Sequence, residues 1–483
     1  MTTDDARSRE LRDAAARPVR ARPVLAHPAP ARPAPARLTP RSPAAVPRRT
    51  LLAASALVPL TAGTLSACGL TGTGGAEPEL RAELPRAEPG DPATAGELTI
   101  PFAARMLGAL DRAPVNAVCS PLSAQVALTM LGMGAAGQTR TEMEEVLGGS
   151  MDELAEAANT LSQTLATVGD AEREAAEEVG GGELPDPARA SLVNGTWAQE
   201  GLEIQEPFLE DLATWFGSGV FQADFTADGP REQAREEING WVADSTEDLI
   251  QELLAEGVLR PNTRLVLVNA LHLKAAWPEE LTRQGGTFTP AGGGPISCEM
   301  LHGMTVGWYE DSLCTATRLA THGDQLSLAL VRPERDLSSV LDEWSASADD
   351  PAAGLAALLT GLEDPSEQVQ FAVPALDIGW DDSLKDLLVG LGMGSAFSDG
   401  ADFSGVTGAP ELAIDEVVQK AVLSLDEQGM EAAAATAVIA RETSMPVIEH
   451  EITLDRPFLL VAYERATGAP LVAGWVGDPT RTR

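Results

Sequence analysis

The sequence predicts a large α+β body behind a long non-globular tail. Three observations lead there. Apolar residues recur at helical spacing through most of the first half of the periodic region, and in short strand-like runs through most of the second. That segregation points to large, mostly antiparallel sheets. Hydrophobic residues make up 44% of the 483, ample for a core.

Residues 1–50 are rich in Arg, Ala and Pro without either period and are expected to be disordered. They hold eleven Arg against four acidic residues, so of the formal charge of −38 the rest of the chain carries −45. A body so acidic repels nucleic acid and anionic membrane surfaces, which excludes nucleic-acid functions. Arg48 and Arg49 then open an apolar run that ends in LSAC at residues 65–68. A basic flank, a short apolar segment and small residues before a cysteine form an export signal. The ending resembles a bacterial lipoprotein box with Cys68 as the lipidated residue, and the paired arginines resemble a twin-arginine signal. A run of about seventeen residues that holds Pro59 is poor material for a membrane span. The expected layout is a basic region with export signal over 1–67, a flexible Gly-, Pro- and Glu-rich tether over 68–97, and one folded domain over 98–483. Such a protein is exported, as a cell-surface lipoprotein or an extracellular protein, and meets the membrane only through its lipid.

Within the body, Ile100, Phe102, Met106, Leu107 and Leu110 fit an amphipathic helix, and residues 115–119 a short strand. Ser120 can cap the next helix, with Pro121 at its first position and glycines at 132, 134 and 137 to stop it. Thr139 and Glu142 have capping-box spacing for a helix over 143–147. Residues 172–187 are acidic and Gly-rich and read as an exposed loop. A strand follows at 191–199. Ile238, Trp241, Val242 and Ser245 return to helical spacing. Residues 263–273 (TRLVLVNALHL) form a nearly continuous apolar run, hence a strand buried on both faces. Further strands are expected at 326–331, 371–373, 417–425, 458–463 and 471–476.

The stretch 426–446, DEQGMEAAAATAVIARETSMP, supports two readings. Composition makes 431–440 an Ala-rich helix. Yet no proline lies between Asp415 and Met445, so every backbone N–H there could join a ladder. At a period of two, Met430, Ala432, Ala434 and Thr436 share an uncharged, mostly small face. That pattern suits a strand held in reserve outside a sheet.

Seven stretches settle the matter by resemblance. They are NAVCSPLS (116–123), EINGWV (237–242), LVLVNA (265–270), LGM (391–393), AFSDGADFSG (396–405), EQGMEAAAAT (427–436) and DRPF (455–458). In this order they resemble the serpins, a family of serine protease inhibitors, over about residues 98 to 483. The resemblance implies an α+β fold of three mostly antiparallel sheets, eight to nine helices and an exposed reactive loop at about 427–450. It implies an inhibitor, not an enzyme, with no cofactor or metal; a monomer is expected. A serine protease would attack the loop and form an acyl-enzyme, then be trapped as the cleaved loop enters the main sheet as a new strand.

The resemblance also implies roles. Glu427, Gly429, Met430, Glu431, Ala432, Ala433, Ala434, Ala435 and Thr436 form the hinge. Ser120, Ser123, Asn269, Trp277 and Gln419 lie where the sheet opens. The scissile bond falls between Thr443 and Ser444, which suits an elastase- or subtilisin-like protease. A two-residue shift would instead present Arg441 to a trypsin-like enzyme or Met445 to a chymotrypsin- or elastase-like one. Entry of the loop gains a dozen or more ladder bonds at roughly 0.5–1.5 kcal/mol each, on the order of 10 kcal/mol. The inward hinge residues must therefore be uncharged and mostly small.

Three residues depart from the family pattern. Met430 stands where Thr or Ser is usual and is expected to slow insertion. Gln419 replaces a His and is expected to bond Asn269 and Ser123, removing a His-dependent pH sensitivity. Ala375 replaces a Lys found in some members, which leaves Glu427 without that partner. Trp277 matches the aromatic at the top of the sheet and reads equally as an ordinary core residue. A non-inhibitory serpin, acting as a binding or scaffold protein, is the alternative. Such hinges carry Pro or charge at inserting positions, and this one carries neither there.

Other chemistry finds little support. The five His lack metal-ligand spacing, and no nucleophile elbow, P-loop or dinucleotide fingerprint occurs in context. Cys298 and Cys314 lie on what read as consecutive antiparallel strands, where an exported protein permits a disulfide; buried free thiols fit equally. The sequon at Asn194 sits in an expected buried strand and reads as incidental.

Overall fold

The computed structural model describes residues 77–483 apart from 114, 180–184, 247, 249, 409–411, 415–416 and 431–447. The described residues form three sheets and nine helices of eight residues or more, the α+β architecture expected. Helices dominate early: α1 (Pro92–Glu97), α2 (Ile100–Ala109), strand β1 (Asn116–Cys119), α3 (Pro121–Gly132), α4 (Gly137–Leu147), α5 (Met151–Ala166) and α6 (Asp170–Val179). Strand β2 (Arg189–Gln199), α7 (Glu206–Phe216), β3 (Val220–Ala223) and α8 (Asp228–Ser245) follow. Ser120 caps α3 as expected, its side chain accepting from Ser123 N with Pro121 at the first position.

The second half is mainly strands: β4 (Leu265–Ala276), β5 (Thr282–Phe288), β6 (Ile296–Val306), β7 (Trp308–Glu310), β8 (Cys314–Ala320) and β9 (Leu326–Pro333). Helices α9 (Leu337–Ala346) and α10 (Gly354–Gly361) interrupt them. Then come β10 (Gln368–Pro374), β11 (Leu376–Ser383), α11 (Lys385–Leu391), β12 (Val418–Leu425), β13 (Gly429–Met430), β14 (His450–Thr453), β15 (Phe458–Glu464) and β16 (Pro470–Val476). The main sheet has the order β11-β12-β13-β4-β2-β3, and all its pairs are antiparallel except β2 with β3. A second sheet runs β1-β16-β15-β9-β8-β7, and a third β14-β10-β6-β5.

The large core fills the space among the main sheet, the second sheet and helices such as α2, α3 and α5. A smaller cluster packs Ile238 and Val242 of α8 against Val268 and Ala270 of β4. That second layer is why the 263–273 run is apolar on both faces. Its lower end is nonetheless only half-buried at Leu265, Val266 and Leu267, because β4 finds its strand partner on the β12 side at Gly429 and Met430.

Three local expectations change. Helix α4 begins at Gly137 without a side-chain cap, so Thr139 and Glu142 form no capping box. Thr139 is buried and accepts from Asp402 N, while Glu142 accepts from Ser395 N and Oγ. The reciprocal box stands instead at Ser150 and Glu153, opening α5. The acidic stretch read as a loop from 172 is helical through Val179. Finally, residues 77–97 are not a free tether. Asp91 caps α1, and the segment before it is bonded to β3, α5 and α7.

Candidate functional site

The site is built where β12 ends. Its alternate residues Gln419, Ala421, Leu423 and Leu425 face the core, and the chain then reverses over 426–429. Asp426 closes the turn: its Oδ1 accepts from Gln428 N at 2.8 Å and Gly429 N at 2.9 Å, and its own N donates to the Gly429 carbonyl at 3.1 Å. Only glycine fits at 429, since a Cβ would stand 2.3 Å from the Ala275 carbonyl oxygen. Trp277 pins the turn twice, from Nε1 to the Asp426 carbonyl at 2.9 Å and from its backbone N to the Gln428 carbonyl at 2.8 Å. At 2% exposed it is also a core residue.

Glu427 has a partner after all. Ala375 cannot serve, but Arg283 of β5 donates from Nε to Glu427 Oε2 at 2.8 Å and from Nη2 to the same oxygen. The Arg283 hydrogen bonds hold the Glu427 carboxyl below the usual carboxylate range. Sequence reading missed Arg283 because the pair spans 144 residues and joins two different sheets. Without the third sheet's position, nothing marks one Arg among many.

Past the turn, β13 lies between two strands at once. Met430 pairs with Leu425 of β12 and with Ala275 of β4, and Gly429 with Ala276. Met430 is 1% exposed. Below it, an apolar cavity of about 100 Å³ lies between β4 and β12, lined by Leu128, Leu131, Leu267, Leu384, Ile414 and Val418 among others.

The expected polar cluster at the sheet opening is divided in two. Gln419 accepts from Ser120 N at 3.0 Å and donates to the Ser120 carbonyl at 2.7 Å. It does not take Ser123 and Asn269 as expected, because those residues satisfy one another: Ser123 Oγ donates to Asn269 Oδ1, and Asn269 Nδ2 donates to Asn194 Oδ1. Asn194, dismissed on sequence as an incidental sequon, therefore belongs to this network. Both strands flanking the slot are thus anchored to the first turn of α3, β12 through Ser120 and β4 through Ser123.

A family model described as serpin (serine protease inhibitor) matches residues 98–479. The chain is a serpin. Proteins of this family are typically non-catalytic protease inhibitors. A serine protease inhibitor of Cyanea capillata is 28% identical over 397 residues, covering 80% of this chain and 98% of that protein. The leukocyte elastase inhibitor of Bos taurus is 28% identical, over 75% of this chain and 93% of that one. Among solved structures, the native state of the thermophilic serpin Tengpin matches with a TM-score of 0.68 at 21% identity, over 83% of this chain and 97% of that one. An Arabidopsis serpin in its native stressed conformation matches at 0.66 and 24%, over 82% and 100%. At those identities the structural likeness speaks for the fold.

In this serpin the remaining expected residues sort plainly. Glu431, Ala432, Ala433, Ala434, Ala435 and Thr436 of the hinge, and Arg441, Thr443, Ser444 and Met445 at the bait, lie outside the described residues, as does Cys68. Of the two readings left open for Cys298 and Cys314, free thiols hold: neither is bridged, and Cys119 is free too. The reason is topological, since β6 and β8 belong to different sheets. Cys298 instead sits with its Sγ 3.6 Å from Met300 Sδ. Among the described residues, no three His, Cys, Asp or Glu are grouped to hold a metal, and no helix is long and apolar enough to cross a membrane.

Proposed function

We infer that this serpin inhibits serine proteases as a suicide substrate, its cleaved loop entering the main sheet between β4 and β12. The observation that carries the reading is β13, two residues of the hinge already seated in that gap. Continuing its register by six residues sets Thr436 opposite Asn269 on one side and Gln419 on the other. Its hydroxyl then meets the polar groups at the slot. Two residues further, Val438 comes opposite Leu267 and Val417, both lining the apolar cavity. On this inward face the residues from Met430 through Ala440 are all uncharged, and Glu442 is the first charge. Strand addition of this kind draws its energy from main-chain bonds and buried side chains.

Cleavage between Thr443 and Ser444 fits an elastase- or subtilisin-like target, with Arg441 offering a trypsin-like enzyme an alternative. Export through the segment ending at Cys68, with lipid attachment there, completes the reading; mass analysis of the mature N-terminus tests it. The deciding experiment incubates the domain with elastase-, subtilisin- and trypsin-like proteases. An SDS-stable covalent complex is expected with one of the first two, and N-terminal sequencing of the released fragment locates the bond. Clean cleavage without any complex, for every protease tried, overturns the inhibitory reading in favour of a binding or scaffold serpin.

A further inference from the structure

Strands β4 and β12 are bridged only at one end among the described residues. Met430 stands opposite Leu425 and Ala275, and Gly429 opposite Ala276. Below that bridge lies the cavity of about 100 Å³. It runs between the two cores. Leu128 and Leu131 of α3 reach it from the large cluster, and Leu253, Leu254 and Leu259, from the segment between α8 and β4, reach it from the smaller one. Leu265 and Leu267 of β4 and Val418 of β12 wall its sides.

The lining is one-sided in its chemistry. Among the described residues no charged side chain lines it. Four polar ones do, and each already has a partner. Ser123 Oγ donates to Asn269 Oδ1, Gln419 holds the Ser120 backbone, and Thr263 Oγ1 accepts from Arg260 N at 3.0 Å. A ligand bearing a hydroxyl or carboxyl would leave that group unmet here, which opposes its entry. A small hydrocarbon meets no such cost and gains dispersion contacts along the walls. Apolar cavities of this order stay dry; one of about 150 Å³ lined by Leu, Ile and Phe takes benzene or xenon.

The position of the cavity gives such a ligand a consequence. On the inhibitory reading, Val438 comes opposite Leu267 and Val417, and both of these line the cavity. A bound molecule and the entering side chain cannot share that space. We propose that the cavity between β4 and β12 binds a small uncharged hydrocarbon of about benzene size, and that a bound molecule blocks the loop's entry past Thr436. The block rests on the inhibitory reading; the binding site does not.

The test uses the full chain, with benzene as the probe. Calorimetric titration reads binding without any protease. Saturable binding at one site is expected, with phenol weaker by about tenfold or more because its hydroxyl finds no partner. A127L lengthens a side chain of the lining and is expected to abolish binding. Should A127L not fold, L131A enlarges the cavity and is expected to take p-xylene, which the unmodified chain rejects. With a protease that the chain traps, benzene at its Kd is expected to cut the yield of SDS-stable complex by about half, the remainder appearing as cleaved serpin. Phenol at the same concentration should leave the yield nearly unchanged, and neither should alter cleavage of a small peptide substrate. An absence of saturable binding, or binding that A127L leaves intact, overturns the site. Benzene bound there with an unchanged yield of complex overturns the block. Should no protease give a complex even without benzene, the inhibitory reading falls and the block with it, while calorimetry still decides the site.

Discussion

Arg283 and Glu427 join the third sheet to the turn after β12, Nε to Oε2 at 2.8 Å across 144 residues. Glu427 also receives a backbone bond at its carbonyl, from Leu281 N at 2.8 Å. The turn is therefore tied both to β5 and to the segment leading into it.

The first prediction concerns this pair. Both side chains are about a third exposed, so solvent screening keeps its worth near 0.5–1 kcal/mol. R283M is expected to lose that amount at pH 7 in urea unfolding. The sign with pH follows from the lowered Glu427 pKa. A depressed carboxylate contributes stability fully above its ordinary value of 4.5 and loses it as pH falls through the folded-state value. The difference between the unmodified chain and R283M should accordingly close on acidification below pH 4.5. A gap that persists unchanged in acid would assign the effect to packing of the Arg stem.

The second prediction concerns Met430. Its bulk reads as an obstacle to insertion, yet the side chain is already 1% exposed within the large core. On the proposed mechanism the first step of insertion is then already made, and the side chain's size is accommodated. M430T is expected to lose about 1–3 kcal/mol by shrinking a buried apolar side chain and adding a hydroxyl. It should not raise inhibitory efficiency. M430D places a charge in the same site and is expected to turn inhibitor into substrate, cleaved with little SDS-stable complex on a gel.

Several of these relations were legible beforehand and others could not be. Helix α3 with its Ser120 cap and the alternation of β12 depend on local pattern, which a sequence displays. Partner choice across sheets does not. Gln419 was expected at Asn269 because side-chain chemistry allows it, while the fold sets the Ser120 backbone within 3.0 Å of it. Whether Cys298 and Cys314 are bridged stayed open for a similar reason: their order in the chain does not show that β6 and β8 belong to different sheets. The segment 77–97 misled through composition, since its Gly, Pro and Glu serve a capped helix and an edge contact, which compositional reasoning cannot distinguish from a linker.

A third prediction tests how α3 holds β12. Gln419 both accepts from and donates to one buried residue, Ser120, so its amide cannot be replaced by a carboxylate. Q419E at neutral pH sets a charged oxygen against the Ser120 carbonyl and loses the donor. The expected cost is about 2–3 kcal/mol, that of an unmet buried acceptor with a desolvated charge. Burial raises the new carboxyl's folded pKa, so the penalty is full above that value and disappears below the unfolded one. Urea midpoints should therefore converge with those of the unmodified chain in acid. Equal stability at pH 7 would mean that the Ser120 pairing contributes nothing to the sheet.

The last prediction follows from the three thiols. Burial pushes the Cys119 and Cys314 pKa values well up, and Asp311 raises Cys314 further. Cys298 is raised too, by burial and then by Glu299, but it is only partly covered. Reactivity follows thiolate fraction and access, and both rank Cys298 first. With a thiol-alkylating reagent on the folded domain near pH 8, Cys298 should be labelled slowly and alone. Cys119 and Cys314 should react only after unfolding. Peptide mapping without reduction checks this: three alkylatable thiols in the denatured domain are expected, and a missing pair at Cys298 and Cys314 would restore the bridge that the sheet topology opposes.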